Sequence, residues 1–456
     1  MRPKPTPKRK QFSMVYPDLL DQLDPKSPLL QLAHKIPWEV FEREFTPLYA
    51  GVGRPAKRIR LMVGLLILKQ VENLSDERVV AAWVQNPYYQ AFCGEEHFRW
   101  TFPCAPSELV HFRKRIGESG AELILKVSAG VHGEKALESE VVVDTTVQEK
   151  NIAFPTDIRL QFRVIEHCLR LAESEAIELR RSYRRELRNL KRTLRFSRGA
   201  KNQQRVNAAR RRLKTIANIL LREITRKLSP ERRIALQNKL QMYTKIINQE
   251  RNDKDKIYSV HEPEVQCIAK GKAHKKYEFG SKVGVAVTKN SSIIVGACNF
   301  SKNIYDGNTL EKIIGQISKI RGFAPSTVFC DRGFRGRKKV GETTVAIPET
   351  PVKRTSEYAK RKARKNFGRR SAIEPVIGHM KNDFRMARNY LKGTTGDAFN
   401  VLLVAAAFNF RKWMNLTAAG LYYVLFLCFA PFLAAATEQL GLYRPFPRNS
   451  GLRQSI

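Results

Sequence analysis

At Glu140 the character of the chain changes. Before that point the apolar residues recur with helical spacing. The next stretch, VVVDTTV (residues 141–147), is β-branched throughout except for one acid, which is the composition of a buried strand. Such a strand must lie inside a sheet, so the chain has to supply its partners. They come late. From about Ile158 to Lys256 the pattern is helical again and densely basic, as in ELRRSYRRELRNLKRTLRFSRGAK, where Leu179, Tyr183, Leu187 and Leu190 recur at nearly helical spacing. Ser229 followed by Pro230 restarts a helix there. Strand character returns at Val265–Ile268, Lys282–Thr288 and Ser292–Cys298, and the Lys-Asn-Ser turn between the last two predicts a hairpin.

An amphipathic helix follows over Thr309–Arg321, with Gly322 placed to end it. Next come a strand Thr327–Cys330 running into Asp331, a short strand Thr344–Ile347, a basic connector from Pro351 to Arg370, and a helix carrying Glu374. With the basic insertion removed, the order is close to the ribonuclease-H-like β-β-β-α-β-β-α. That predicts an α/β fold with a ribonuclease-H-like mixed sheet, interrupted by a long basic helical insertion (158–256) and preceded by an all-helical N-terminal domain. The expected divisions are a disordered basic arm (1–14), the helical domain (15–135), the sheet domain (136–413) and an apolar tail (414–456).

In that order the first and fourth strands are neighbours, so Asp144 and Asp331 should meet and the late helix should bring Glu374 to them. Three carboxylates repel one another unless a cation neutralises them. An all-oxygen set without His or Cys predicts Mg²⁺ or Mn²⁺. Two such ions about 3.5–4 Å apart would serve in-line attack on a phosphodiester. On a helix, Phe367, Arg370, Glu374 and Lys381 share one face, so the two cations would hold phosphate. Ser371-x-x-Glu374 is also a capping-box pattern, and Pro375 is awkward inside a helix; a helix begun at Ser371 would leave Arg370 outside.

Charge points to the substrate class. The 82 Lys and Arg residues outnumber the 43 Asp and Glu, giving a formal net charge of +39, far more than solubility needs and suited to a polyanion. In the N-terminal domain Ser75 is placed to cap one helix and Ser107 another. The second would bury Leu109, Phe112 and Ile116 and leave His111, Arg113, Lys114 and Arg115 for DNA. The seven cysteines are single, with no CxxC pair, which argues against a disulfide framework or a zinc site. Cys330 reads as a small buried hydrophobe rather than a nucleophile. Leu416–Thr437 carries no charge and is long enough to span a bilayer, but a buried helix or a divergent tail that tends to aggregate is the favoured reading.

Several stretches match a known family: VDTTVQEKNIAFPTD (143–157), HEPEVQCIAKGKAHKKYEFGSK (261–282), FCDRGFRG (329–336) and RRSAIEPVIGHMKNDFRMARNYLKG (369–393). The chain resembles bacterial DDE transposases of the insertion-sequence-5 family over roughly residues 15–413. The resemblance implies Asp144, Asp331 and Glu374 as the metal-binding catalytic triad. It implies a Tyr-x2-Arg-x3-Glu-x6-Lys signature on Phe367, Arg370, Glu374 and Lys381, with Phe367 lacking the expected hydroxyl. Lys270, Lys272 and Lys282 would line the DNA path. It further implies a cytoplasmic bacterial enzyme that acts on double-stranded DNA as a homodimer, binding terminal inverted repeats, cutting them and transferring the strands, with no membrane partner.

Overall fold

The computed structural model describes residues 18–53, 55–195, 202–250, 252–269, 275–348, 356–358, 361 and 367–439, from 419 onward as backbone only. The expected 1–14 arm, Lys270 and Lys272 lie outside the described residues. The chain divides into two compact units, one of Met1–Val110, Gly130–His132 and Ala407–Ile456, the other of His111–Ala129 and Gly133–Ala406.

The first unit is helical: α1 (Leu19–Gln22), α2 (Pro28–Lys35), α3 (Trp38–Phe45), α4 (Ile59–Val71), α5 (Asp76–Gln85), α6 (Pro87–Phe92) and the start of α7 (Pro106–Gly130). Helix α4 is apolar on every face and buried on nearly every residue. Its one buried cation, Lys69, is neutralised by Asp76 at 2.8 Å. Ser75 caps α5 as expected, its hydroxyl accepting from the Arg78 amide. The Asn86 side chain does the same for α6, with Pro87 at the first helical position. Ser107 does not cap α7. That helix begins at Pro106, and the Ala105 amide donates instead to the Glu108 carboxylate at 2.8 Å. Leu109, Phe112 and Ile116 are buried as expected, but so is Arg113, 7 % exposed; it faces the interior, while His111, Lys114 and Arg115 are on the surface.

The second unit is built on one seven-stranded mixed sheet. Its strands are β1 (Glu140–Glu149), β2 (Gln266–Ala269), β3 (Tyr277–Thr288), β4 (Ile294–Phe300), β5 (Thr327–Phe329), β6 (Lys339–Val340) and β7 (Thr343–Ala346), in the order β2-β3-β1-β5-β7-β6 with β4 also on β3. This is the ribonuclease-H-like α/β architecture. β1 is central, antiparallel to β3 and parallel to β5. Val141, Val142, Val143 and Val147 are all buried, which is why the run is β-branched. The β3–β4 hairpin forms with its turn at Lys289–Ser292. Helix α13 (Leu310–Arg321) packs on it and ends at Gly322, whose φ of 88° is the left-handed conformation that glycine adopts without strain.

Between β1 and β2 stand α8 (Asp157–Ser174), α9 (Arg184–Arg195), α10 (Gln203–Lys227), α11 (Pro230–Ala235) and α12 (Gln237–Asn248). Ser229 caps α11 over Pro230 as the sequence predicts. Leu179 and Tyr183 are not helical, because the chain turns at Tyr183 (φ 51°) before α9; with Leu187 and Leu190 they still pack on the insertion's own core of Val164, Leu213, Leu220, Ile224, Tyr243 and Ile246. Helix α14 (Ile373–Asn382) packs on β1. The last helix, α15, runs from Gly393 to Gln439. Among the described residues no helix is long and apolar enough to cross a membrane.

Candidate active site

The register of the parallel β1–β5 pair sets Val142 against Phe329. Asp144 lies two residues further along β1, and Asp331 lies two residues past the end of β5. Each carboxylate is tied to backbone beside it. Asp144 Oδ1 accepts from the Thr145 amide at 2.7 Å, and Asp331 Oδ1 accepts from the Gly333 amide at 2.8 Å, capping a short 3₁₀ turn over Arg332–Phe334. Cys330, next to Asp331 in the chain, is fully buried. Burial pushes its thiol far up, and the nearby charges of Asp331 and Asp144 push it further, so it is an inert spacer.

Glu374 stands on α14, which begins at Ile373 after a 3₁₀ turn over Arg370–Ala372. The Glu374 helix does not run back to Phe367, being broken by the turn at Gly368–Arg369, and no Ser371 cap occurs. The Ser371 hydroxyl donates to the Gly368 carbonyl instead. Pro375 is tolerated because it sits in the first turn, where backbone amides have no partner within the helix. The 3₁₀ turn still leaves the Arg370 guanidinium 4.0 Å from Glu374, whose side chain is 65 % exposed. Phe367 packs edge-on to Phe329, ring centroids 5.7 Å apart, directly under the strand that delivers Asp331. Its ring holds that strand, and it offers no hydroxyl.

The donor chemistry of Asp144 and Asp331 fits a hard divalent cation, and so does their adjacency. The third acid is not gathered with them: among the described residues no group of three or more His, Cys, Asp or Glu side chains stands close enough to hold a metal ion.

A fourth acid, Asp306, lies at this site and was not read from the sequence. Its Oδ1 accepts from the Thr145 hydroxyl and from Lys282 Nζ, both at 2.9 Å. Its Oδ2 lies 3.3 Å from the point a Cβ on Gly333 would occupy, and Asp331 Oδ1 lies 2.9 Å from that same point. Asp306 therefore touches Thr145, the residue beside Asp144, and comes close to Gly333 in the turn that Asp331 caps. Lys282 is committed to it: its side chain is 11 % exposed and also donates to the Ile304 carbonyl. That corrects the expectation of Lys282 as an open DNA contact. The only signal for Asp306 was an acid in a loop, YDGN, which resembles any polar turn.

Residues 17–115 match the family model described as a transposase domain (DUF772), and residues 245–410 match the transposase DDE domain. An uncharacterised protein, ORF8 in the nfe locus of Rhizobium meliloti, is 47 % identical over 178 residues, which are 38 % of this chain and 86 % of the relative. The chain belongs to the DDE transposases. No solved structure matches it. The DDE domain match covers α14, ends inside α15 and includes Asp306, Asp331 and Glu374, whereas Asp144 precedes it. This DDE transposase thus carries its first strand ahead of the matched segment, separated from it by the basic insertion.

Proposed function

We propose that this DDE transposase is an insertion-sequence enzyme of the insertion-sequence-5 family, which binds terminal inverted repeats as a homodimer on DNA and then cuts and transfers the strands. The observation that carries the reading is the parallel β1–β5 pair, with Asp144 on the first strand, Asp331 just past the end of the second, and the Glu374 helix packed on β1. Asp144 and Asp331 would hold Mg²⁺ or Mn²⁺, with Glu374 joining them once ion and DNA are bound. Bound there, such ions supply activation of a water or 3′-hydroxyl and stabilisation of the leaving oxygen. The chain's own residues do the rest. The Gly333 and Thr145 amides fix the two aspartates, and Asp306 ties Thr145 to Lys282 beside them. Arg370 and Lys381 flank Glu374 and receive the phosphates next to the cut. Surface cations such as Lys114 and Arg115 contribute affinity without sequence information.

A joining assay tests this reading. Precut ends carrying the element's terminal repeats should be joined to a plasmid in Mg²⁺ and left unjoined in EDTA. Cutting of uncut ends without joining of precut ones would make the protein a ribonuclease-H-like nuclease, and DNA binding with neither reaction would make it a silent binder.

Gly333 gives a second prediction. Alanine there would set a Cβ 2.9 Å from Asp331 Oδ1 and 3.3 Å from Asp306 Oδ2, so one or both carboxylates must move. Displacements of this kind cost on the order of 10²-fold in rate. Gly333→Ala should slow single-turnover nicking by about that factor at unchanged DNA affinity, and equal nicking rates would show that the aspartate geometry is not critical.

A further inference from the structure

Where β1 ends, an open cleft of about 820 Å³ lies between the loop 150–155, the first turns of α8, the segment 258–262 and the loop 389–392. Its floor is fixed. Lys150 bridges to Asn389, the Asn151 amide donates to the Asn389 carbonyl at 2.9 Å, and the Asn389 amide donates to the Glu149 carbonyl at 2.7 Å. The charge of Lys150 is consumed internally by Asp397 and Glu262. What the cleft offers a ligand is therefore its aromatic rings and the cations around them.

Its lining includes the rings of Phe154, Phe162, Tyr258 and Tyr390. Phe154 and Tyr390 are 63 % and 56 % exposed, unusual for large rings in a folded chain. They are nonetheless held. Phe279 carries Phe154 edge-on at 5.5 Å and Tyr258 at 5.3 Å, and the Arg385 guanidinium lies 5.2 Å over the Tyr390 ring. Around the rings stand Arg159, Lys191 and Lys392. Lys191 and Lys392 are exposed, and neither takes part in an ion pair among the described residues. Rigid rings flanked by uncommitted cations are the chemistry of single-stranded nucleic-acid binding: bases stack on the rings and the cations take the phosphates. Duplex DNA cannot use the rings, since its bases are already stacked on each other.

We propose that this cleft binds unstacked nucleotides of a DNA strand whose cleavage site lies at Asp144. Asp144 and Lys150 share one strand, so the cleft stands roughly 20 Å from the acid at about 3.3 Å per residue. That is on the order of six nucleotides of one DNA strand. The inference rests on the DNA reading above but not on catalysis, so it is tested on binding alone.

The experiment measures full-length protein in EDTA against a labelled (dT)6 oligonucleotide and against a blunt hairpin duplex. The variants are the double Phe154→Ala/Tyr390→Ala and, as a control, Phe102→Ala, an equally exposed ring in the other unit. The double variant should bind (dT)6 at least about fivefold more weakly, with duplex affinity within about twofold of the parent. Phe102→Ala should change neither. The proposal is overturned if the parent does not bind (dT)6, if the double variant binds it as the parent does, or if (dT)6 and duplex binding fall together. None of those results bears on the joining assay, so failure here and failure of the transposase reading are distinguishable.

Discussion

An Asp331→Asn chain is expected to bind DNA as the parent does and to leave it uncut. Asparagine has the shape of aspartate and keeps an oxygen that can accept from the Gly333 amide, so the 3₁₀ turn over Arg332–Phe334 should survive. What disappears is the negative charge just past the end of the strand that pairs with Asp144's strand. A carboxylate that neutralises a divalent cation cannot be replaced by a neutral amide, and loss of one preorganised electrostatic group at a reacting centre costs about 10²–10³ in rate. Nicking of end-containing DNA in Mg²⁺ should fall at least that far, while affinity measured in EDTA stays within about twofold. Nicking within tenfold of the parent would remove Asp331 from the catalytic set.

The second large effect concerns stability. Lys150 is 3 % exposed at its side chain and lies 2.6 Å from Asp397 and 3.2 Å from Glu262, both nearly buried. Asn389 donates to Asp397 at 2.6 Å and the Gly393 amide to Glu262 at 3.0 Å. Lys150→Met keeps the stem and deletes the charge, leaving two buried carboxylates without a cation. Breaking a buried pair from one side costs about 3–5 kcal/mol, so chemical denaturation should show a loss of that size. Its pH dependence has a definite sign. Burial already pushes the Asp397 carboxyl up, against the pull of Lys150. An acid with a raised folded-state pKa binds more protons folded than unfolded, so stability falls as pH rises from the ordinary aspartate range through the folded value. Removing Lys150 widens that gap. The penalty should therefore be larger at pH 8 than at pH 5, and Lys150→Met/Asp397→Asn should recover part of it. A pH-independent loss would place the effect in packing instead.

Much of the sheet was legible because its strands are short, β-branched and separated by strong turn signals. VVVDTTV, the Lys289–Ser292 turn and Gly322 each have one economical reading, and the β-β-β-α-β-β-α order then makes neighbours of Asp144 and Asp331. What escaped was set by contacts between distant segments. Arg113 has the local appearance of a surface cation and is buried. Ser107 is a good cap residue, but Glu108 reaches the Ala105 amide instead. Asp306 and Lys282 mean little separately and acquire a role only because the loop after β4 folds against the turn after Asp331. The position of Glu374 relative to the two aspartates is a side-chain matter that no spacing rule could decide.

The insertion also shapes how such a chain can be made. Thr145 and Asp306, which touch, are 161 residues apart in sequence. A strand that must wait that long on a ribosome for its partners is an aggregation hazard, since long-range pairing is slow and carries a loop-closure cost. The insertion's core draws only on residues between β1 and β2, so those helices can condense before the rest of the sheet emerges. That early collapse would shorten the effective loop β1 has to close and bring it near β3 as β3 is synthesised. The basic helices would then act during synthesis as a spacer that folds first.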